Sequence, residues 1–529
     1  MAPTLRSRCG DAVDEGCDPK DELAELDTLL KRLTLNLKRK INRLHSPIIR
    51  HLPPDVMSTI FEFCLPYFTD HHDQPLAFTQ KDSSFPLSLG AICSYWRDIA
   101  WSTPSLWSSL VVRVTSKHNP HIIAGVAQEW LARSGQLPLT IRVLAFDHDL
   151  KTISALADII NRYSTRWSYL DLRIPSGGYQ HFHAIDNHAP TLKSIRFYSS
   201  SFDPMSLNYQ LTCPRLERAT LENFIMNGPN IQWDNLTHLN LYSMSTIDAF
   251  LILSKTPRLV FCRVLSYHTQ YGPENIGPIV LTSLRSLHLH MDYAVNTLDS
   301  IIAPHLEELS LPNYQNLPME VITSFLRRSA CSLRSFSTTF CSVPPHFDET
   351  FMISFRSINI LSITSFFDSS QENYDLWNIL QLMAGVLSSQ STSPQRGFLP
   401  DLQILEYTKN LRLPARSFFL LDALLYTLPP ADNTVRGPLR LFKINIHSTT
   451  RIPKKMMTYF SSLEERGVTV NVLSKSEDIL QSSIDYYRGR EESLCRDWAV
   501  NLDLSLFQGK YIILINRDAL AMIITCLLH

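Results

Sequence analysis

The stretch LTHLNL, residues 236–241, places two leucines three positions apart and a third leucine two positions further on. The same spacing returns in LRSLHL at 284–289 and in LEELSL at 306–311. In a β-strand, side chains two positions apart point to the same face. The last two leucines of each stretch therefore face one hydrophobic core, and their recurrence predicts strands stacked side by side.

Looser copies of this stretch occur along most of the chain. They begin at Trp167, Leu192, Leu216, Leu259, Leu333, Ile358, Leu402 and Leu439. With the three clear copies included, the successive spacings are 25, 24, 20, 23, 25, 22, 27, 25, 44 and 37 residues. Most lie within the roughly 20–29 residues of leucine-rich repeats, which the chain resembles. The resemblance implies an α/β fold: a leucine-rich-repeat solenoid with a curved parallel sheet over residues 111–475.

The repeat departs from the regular pattern in two ways. The Asn that usually follows the strand is missing, so an irregular arc is expected. The two long spacings predict an insertion, with a helix from about Tyr374 to Leu387 and a Ser/Gln/Pro-rich loop at 388–400. Prolines also share one offset, two residues before the opening leucine, at 190, 214, 257, 304 and 400. We expect these prolines at strand entries, where they break no ladder hydrogen bond.

The residue between the last two leucines of each copy faces away from the core. This outward row reads Asp171, Arg196, Thr220, Asn240, Arg263, His288, Ser310, Ser337, Ser362, Glu406 and Lys443. A mixed polar and charged row is typical of a protein-binding face, although any solvated strand face has the same composition. The candidate target-binding residues are Arg196, Asn240, Arg263, His288, Glu406 and Lys443.

Ahead of the repeats, residues 21–46 predict an amphipathic helix. Its apolar stripe consists of Leu23, Leu26, Leu30, Leu33, Leu37, Ile41 and Leu44. The stripe needs a partner. The basic cluster at 38–40 suggests either a nuclear import or nucleic-acid patch or the solvated side of the helix. The favoured interpretation is the solvated side.

Residues 52–65 predict a second helix, because Pro54 is well placed as its first residue. Val56, Ile60 and Cys64 lie along one line of this helix, and an adjacent line is apolar too. Such a wide apolar face belongs in an interface or a core. Residues 66–86 predict a loop, and His71-His72-Asp73 within it lacks a third ligand at metal-binding spacing.

Further helices follow from Leu87, and three tryptophans fall within residues 96–107. The strings LPPDVMSTIFEFCLP, from residue 52, and LSLGAICSYWRDIAWSTPSLWSSLVV, from residue 87, resemble an F-box of the kind common in mushroom-forming fungi. The resemblance implies a small all-α F-box domain at 47–110 that docks a Skp-family adaptor and, through it, a cullin. The docking residues that it implies are Leu52, Pro53, Val56, Ile60, Phe61 and Trp107.

Composition narrows the function classes. A formal net charge of -1 gives no global attraction to nucleic acid or anionic membrane. The ten cysteines form no CxxC pair, which favours free thiols in a reducing compartment. No GxSxG, HExxH, P-loop or GxGxxG motif stands in a supporting context, and His288 and His290 lack matching ligands. We therefore expect a non-enzymatic protein without cofactor or metal.

The two ends of the chain lead to further expectations. Residues 1–20 carry acids and no apolar core, so we expect a disordered start and a cytoplasmic or nuclear location. Residues 476–529 are expected to cap the solenoid as a buried strand and helix. Arg517 and Asp518 argue against the alternative, a membrane tail anchor.

Two functional hypotheses follow. In the first, the chain is the substrate-recognition subunit of a ubiquitin ligase, with the solenoid binding the target protein. In the second, it is a repeat scaffold or inhibitor whose N-terminal helices only cap the solenoid. The two hypotheses differ in whether the apolar residues of the 52–65 helix stay exposed once the solenoid has packed.

Overall fold

A computed structural model describes residues 19–45, 51–65, 84–115, 119–145, 149–199, 205–206, 210–225, 230–265, 278–290, 294–314, 319–340, 355–365, 401–409, 439–446, 452, 454–474 and 477–488. The predicted α/β class is confirmed, because the chain forms a large, mostly parallel sheet together with helices. Its described residues group into two compact units. Unit 1 comprises those of 1–202, 208–215 and 230–232, and unit 2 those of 203–207, 216–229 and 233–529.

Unit 1 begins with helices that precede its strands. They are α1 (Pro19–His45), α2 (Pro54–Phe63), α3 (Phe85–Ile92) and α4 (Ser94–Ser102), followed by a 3₁₀ turn at Pro104–Trp107. Pro54 starts α2 as predicted, since the first turn of a helix has no internal acceptor for its N–H groups. Cys93 caps α4, because its Sγ accepts a hydrogen bond from the backbone N–H of Trp96 at 3.4 Å.

Four parallel strands of unit 1 pair in chain order. They are β1 (Ser109–Val114), β2 (Leu139–Ala145), β3 (Trp167–Ile174) and β4 (Ser194–Ser199). Helix α5 (Pro120–Arg133) connects β1 to β2, and α6 (Leu150–Asn161) connects β2 to β3. The side chains of Asn119 and Asp149 cap these two helices by accepting backbone N–H groups.

Unit 2 carries the remaining strands of the sheet, and each again pairs with the next one along the chain. They are β5 (Arg218–Glu222), β6 (His238–Tyr242), β7 (Phe261–Leu265), β8 (Ser286–His290), β9 (Glu308–Tyr314), β10 (Ser335–Phe340), β11 (Ile360–Ser365), β12 (Ile404–Lys409), β13 (Leu441–Ile446), β14 (Thr469–Ser474) and β15 (Glu477–Asp478). All these pairings are parallel except that of β14 with β15.

The helices of unit 2 include α7 (Thr246–Leu253), α8 (Ala294–Asp299), α9 (Met319–Ser329) and α10 (Lys454–Glu465). Short two-residue strands add further parallel pairs. In unit 1, Gln210–Leu211 pairs with Asn230–Ile231. In unit 2, Met205–Ser206 pairs with Phe224–Ile225, and Ile279–Val280 pairs with Ile301–Ile302. Neighbouring segments of the chain are thus joined a second time outside the main sheet.

The recurrent prolines that the structure describes, at 190, 214, 257 and 304, lie in turns just before the strands, whereas they were expected at the strand entries. At Pro190, the N–H of Leu192 donates to the carbonyl of Ala189 at 3.3 Å, so the proline is the second residue of a β-turn. The same turn precedes Leu259 and Leu306, and β4, β7 and β9 begin two residues after the opening leucine. Proline suits this position because its fixed φ matches the turn.

The core follows the leucine spacing. Every leucine of the three clear copies is at most 1% exposed. Each such side chain contributes roughly 1.5–3 kcal/mol when it leaves water, which makes the repeated leucines the main stabilising element of the strands.

Several predictions concern other parts of the chain. The helix at 374–387, the loops at 66–83 and 388–400, residues 1–18 and residues 489–529 lie outside the described residues. Among the helices that the structure describes, none is both long and apolar enough to cross a membrane.

Candidate functional site

Helix α2 has two apolar sides with opposite environments. Met57 and Phe61 are 1% and 2% exposed, respectively. Val56, Ile60 and Phe63 are 39%, 40% and 86% exposed. Steps of four and then three residues put these last three along one side of a helix. Together with Pro53, which is also exposed, they form a surface that we call the α2 face.

Two of the docking residues that the resemblance implies, Phe61 and Trp107, are buried in the folded chain. The ring of Phe61 lies 5.0 Å from that of Trp96. Trp107 has no exposed surface, and its indole N–H donates to the carbonyl of Ala100 at 2.7 Å. A partner protein cannot reach these rings in the folded chain, so they support α2 and do not form its outer surface.

The remaining predicted docking residues lie together at the start of α2. Leu52 is half-buried, and its carbonyl accepts a hydrogen bond from the Tyr95 hydroxyl at 3.5 Å. Val56 and Ile60 follow on the exposed side. Phe63 was not among the predicted docking residues. The steps from Pro53 to Val56, Ile60 and Phe63 are three, four and three residues, so helical spacing alone could have identified it.

A cluster of tryptophans joins the short helices to the first strand of unit 1. The rings of Trp101 and Trp130 lie 5.0 Å and 4.8 Å from that of Trp107. The Trp130 indole donates to the carbonyl of Ser109 at 3.0 Å, and the Arg133 guanidinium covers Trp107 at 5.1 Å. Part of the aromatic surface of Trp101 and Trp107 therefore packs against α5 of the same chain.

The outward row of unit 1 is a buried charge network. Parallel pairing aligns Arg142, Asp171 and Arg196 on neighbouring strands. Arg142 Nε donates to Asp171 Oδ2 at 2.8 Å, and Arg173 Nε lies 3.5 Å from Asp171 Oδ1. Burial, reinforced by the nearby Asp171 carboxylate, raises the pKa of Tyr169. Two guanidinium groups thus contact one carboxylate, and Arg196 occupies the paired position on the neighbouring strand, so this face has more arginines than carboxylates.

The outward row of unit 2 follows the predicted register without a break. Parallel pairing aligns Thr220, Asn240, Arg263, His288, Ser310, Ser337, Ser362, Glu406, Lys443 and Asn471. Asn240 is only 1% exposed and donates to Thr220 Oγ1 at 3.5 Å, so it supports the strands. Arg263, His288, Glu406 and Lys443 are half-buried and retain contact with solvent.

An aromatic and basic patch lies on β6–β8. The ring of Phe261 lies 5.1 Å from His288 and 5.9 Å from His238, and the Arg263 guanidinium covers it at 5.5 Å. We call these four residues the Phe261 patch. Burial lowers the pKa of His288; nearby Glu308 opposes this shift and Arg263 adds to it. Phe261 lies two residues before Arg263 and therefore on the same face of β7. Only one outward position per copy was considered in the sequence, so Phe261 was missed.

Glu406 and Lys443, two predicted target-binding residues, form a pair with each other. Lys443 Nζ lies 3.3 Å from Glu406 Oε1, across β12 and β13. Two residues further along each strand, Asn445 donates to Thr408 Oγ1 at 3.1 Å. These cross-strand contacts order the polar surface at the far end of unit 2.

Within the described ranges, no group of three or more His, Cys, Asp or Glu side chains is placed to hold a metal ion. Burial raises the pKa of the Cys213 and Cys262 thiols to about 12, so neither is a nucleophile near neutral pH. Comparison of the sequence with the models of known protein families and with curated proteins finds no match.

Proposed function

We propose that this chain is the substrate-recognition subunit of a Skp-cullin-F-box type ubiquitin ligase. In this proposal, α2, α3 and α4 belong to an F-box that docks a Skp-family adaptor and, through it, a cullin. The strands that follow belong to a leucine-rich-repeat solenoid that binds the target protein. The chain then acts by proximity, because holding two reactants together raises their effective concentration.

The exposure of the α2 face carries the proposal. Helix α2 already buries Met57 and Phe61, so its attachment to the chain uses one side only. Val56, Ile60 and Phe63 remain in contact with water on the other side. A contiguous exposed apolar surface on a short, well-supported helix is typical of a protein-docking site.

The burial of each residue divides the proposed roles. Pro53, Val56, Ile60 and part of Leu52 are assigned to adaptor contact because they are reachable from solvent. Phe63 joins them on the same grounds. Phe61 and Trp107 are assigned to holding α2 in place, since a rigid anchor loses less conformational entropy on binding.

The two units favour different chemical groups on the target protein. In unit 1, Arg173 is the member of the Asp171 network that keeps contact with solvent, and its charge favours an acidic side chain on the target. The Phe261 patch in unit 2 combines aromatic and arginine side chains, which often dominate the free energy of protein binding. The proposed target therefore presents an acidic segment to unit 1 and an apolar or aromatic residue to unit 2.

The test is co-purification of the full chain with a Skp-family adaptor, followed by addition of a cullin. We expect the wild type to bind, and a Val56→Asp/Ile60→Asp variant to lose adaptor affinity by at least about tenfold, because two buried carboxylates would lack partners. The matched control is Ile122→Asp, an apolar position that is 65% exposed and lies on a different helix, α5. The control should bind like the wild type.

Two results would count against the proposal. One is a folded wild-type chain that fails to bind any Skp-family adaptor. The other is adaptor binding that is unchanged in the Val56→Asp/Ile60→Asp variant, which would move the contact away from α2.

A repeat scaffold without any ligase coupling is the alternative. It is favoured by the packing of Trp107, in the turn after α4, against Trp130 of α5. This contact attaches the N-terminal helices to the helix that connects the first two strands of unit 1, as a cap of the repeats would be attached. Terminal repeats need such a cap. Failure of the wild type to bind the adaptor, with the chain still folded, would place this alternative first.

A further inference from the structure

Helix α1 carries an apolar stripe that nothing in the described structure covers. Its members Leu23, Leu26, Leu30, Leu33, Leu37 and Ile41 are between 48% and 71% exposed. Adjacent apolar side chains that stay in water are costly to the chain. The stripe therefore fits a surface that becomes buried on association.

The spacing of the stripe is that of a coiled coil. From Leu23 to Leu37, the leucines follow one another in steps of three, four, three and four residues. This average of 3.5 residues keeps the stripe facing a single partner helix over its length. The occupant that fits best is another helix with the same spacing.

The charges of α1 are segregated along its length. Residues 21–27 contain four acids and no base, and residues 31–43 contain six bases and no acid. Two parallel copies would place acid beside acid and base beside base. Two antiparallel copies would place the acidic end of each beside the basic end of the other, which is favourable.

We propose that two copies of this chain associate through α1 as an antiparallel pair. In the alignment centred on Leu30 and Leu33, Leu26 of one copy packs beside Leu37 of the second copy. Acidic residues 21–27 then lie beside residues 36–42 of the second copy, which include Lys38-Arg39-Lys40. In this pair, the basic cluster at 38–40 lies beside the acidic end of the second copy, so its charge needs no nucleic-acid partner. The pairing does not depend on the proposed ligase function.

The first test measures the mass of the full chain by sedimentation velocity over a range of micromolar concentrations. We expect the wild type at about twice the 60.5 kDa of one chain. A Leu30→Asp/Leu33→Asp variant should sediment as a single chain, because both carboxylates would fall in the centre of the seam. Leu35→Asp is the matched control, since Leu35 is also exposed but lies on the opposite side of α1. It should stay paired.

The second test addresses orientation through charge. One variant inverts the acidic end with Glu22→Lys, Glu25→Lys and Asp27→Lys, and another inverts the basic end with Lys38→Glu, Arg39→Glu and Lys40→Glu. Either variant alone should sediment as a single chain. The chain that carries both sets of changes should pair again, since the two ends are complementary once more in the antiparallel arrangement.

The proposal is overturned by a wild-type mass of one chain throughout the concentration range. It is equally overturned if Leu35→Asp abolishes pairing as strongly as the seam variant, or if pairing persists when only one end is inverted. A doubly inverted chain that stays single would rule out the antiparallel arrangement.

Discussion

Asp171 shows how one residue can govern the surface around it. Its carboxylate has no exposed area and faces Arg142 on one strand and Arg173 on its own strand. A buried ion pair adds little when complete, because desolvation offsets the attraction between the charges. Removal of one partner is different, since the other charges stay buried without compensation.

We therefore expect Asp171→Asn to lower the free energy of unfolding by about 3–5 kcal/mol. The measurement is the urea midpoint of the purified chain. Glu307→Gln is the control, because its bridge to Arg285 at 2.6 Å is exposed. Loss of an exposed bridge costs at most about 1 kcal/mol. Equal midpoints for the two variants would contradict a buried network at Asp171.

His288, in the outward row of unit 2, makes the stability of the folded chain depend on pH. Burial lowers its pKa in the folded chain, so the unfolded chain binds a proton at a higher pH than the folded chain does. The associated stability is present above the unfolded pKa of about 6.5 and is lost as the pH falls below it. We expect His288→Gln to lose less stability than the wild type between about pH 7.5 and pH 5.5.

Urea unfolding of both chains at several pH values checks this expectation, and the comparison cancels the other titrating groups. Parallel loss of stability in the two chains would show that His288 keeps an ordinary pKa.

At the level of elements, α3 and α4 meet at a point with no room for a side chain. A Cβ on Gly90 would lie 2.2 Å from a ring atom of Trp101. That ring is held by Trp107 at 5.0 Å and by Arg133 at 5.4 Å, so it cannot easily move away. The contact fixes how closely the two helices approach.

Gly90→Ala should therefore lower stability by about 1–3 kcal/mol, which is typical of overpacking. Gly125→Ala on α5 is the matched control, because the space around Gly125 is open. It should raise stability by about 0.5–1 kcal/mol through helix propensity. Thermal melts followed by circular dichroism give both values. A Gly90→Ala chain as stable as the wild type would show that Trp101 relocates.

The two sides of α2 show what an isolated pattern can predict. Its spacing indicates a wide apolar face, and the structure has one. Which half is interior depends on Trp96 and Trp107, whose positions follow from the packing of α4 and the turn after it. The resemblance to an F-box implied Phe61 and Trp107 for docking, whereas the structure buries both side chains.

Across the whole molecule, the leucine spacing predicted the strands best where it was most regular. It placed β6, β8 and β9 and their outward residues correctly, because alternation fixes which side chain faces the core. It missed β1, β2 and β14, whose sequences SLVVRV, LTIRVLA and TVNVLS lack the opening leucine. Valine and isoleucine fill the same core there without marking a repeat.

The strand order of unit 2 has a consequence for the synthesis of the chain. Within this unit, each strand of the main sheet from β6 to β14 pairs with the strand that precedes it in the sequence. Consecutive pairing lets the sheet of this unit extend one strand at a time from its N-terminal side, in the order in which the strands are synthesised. At each stage one newly formed strand edge is open, and the next strand in the sequence covers it.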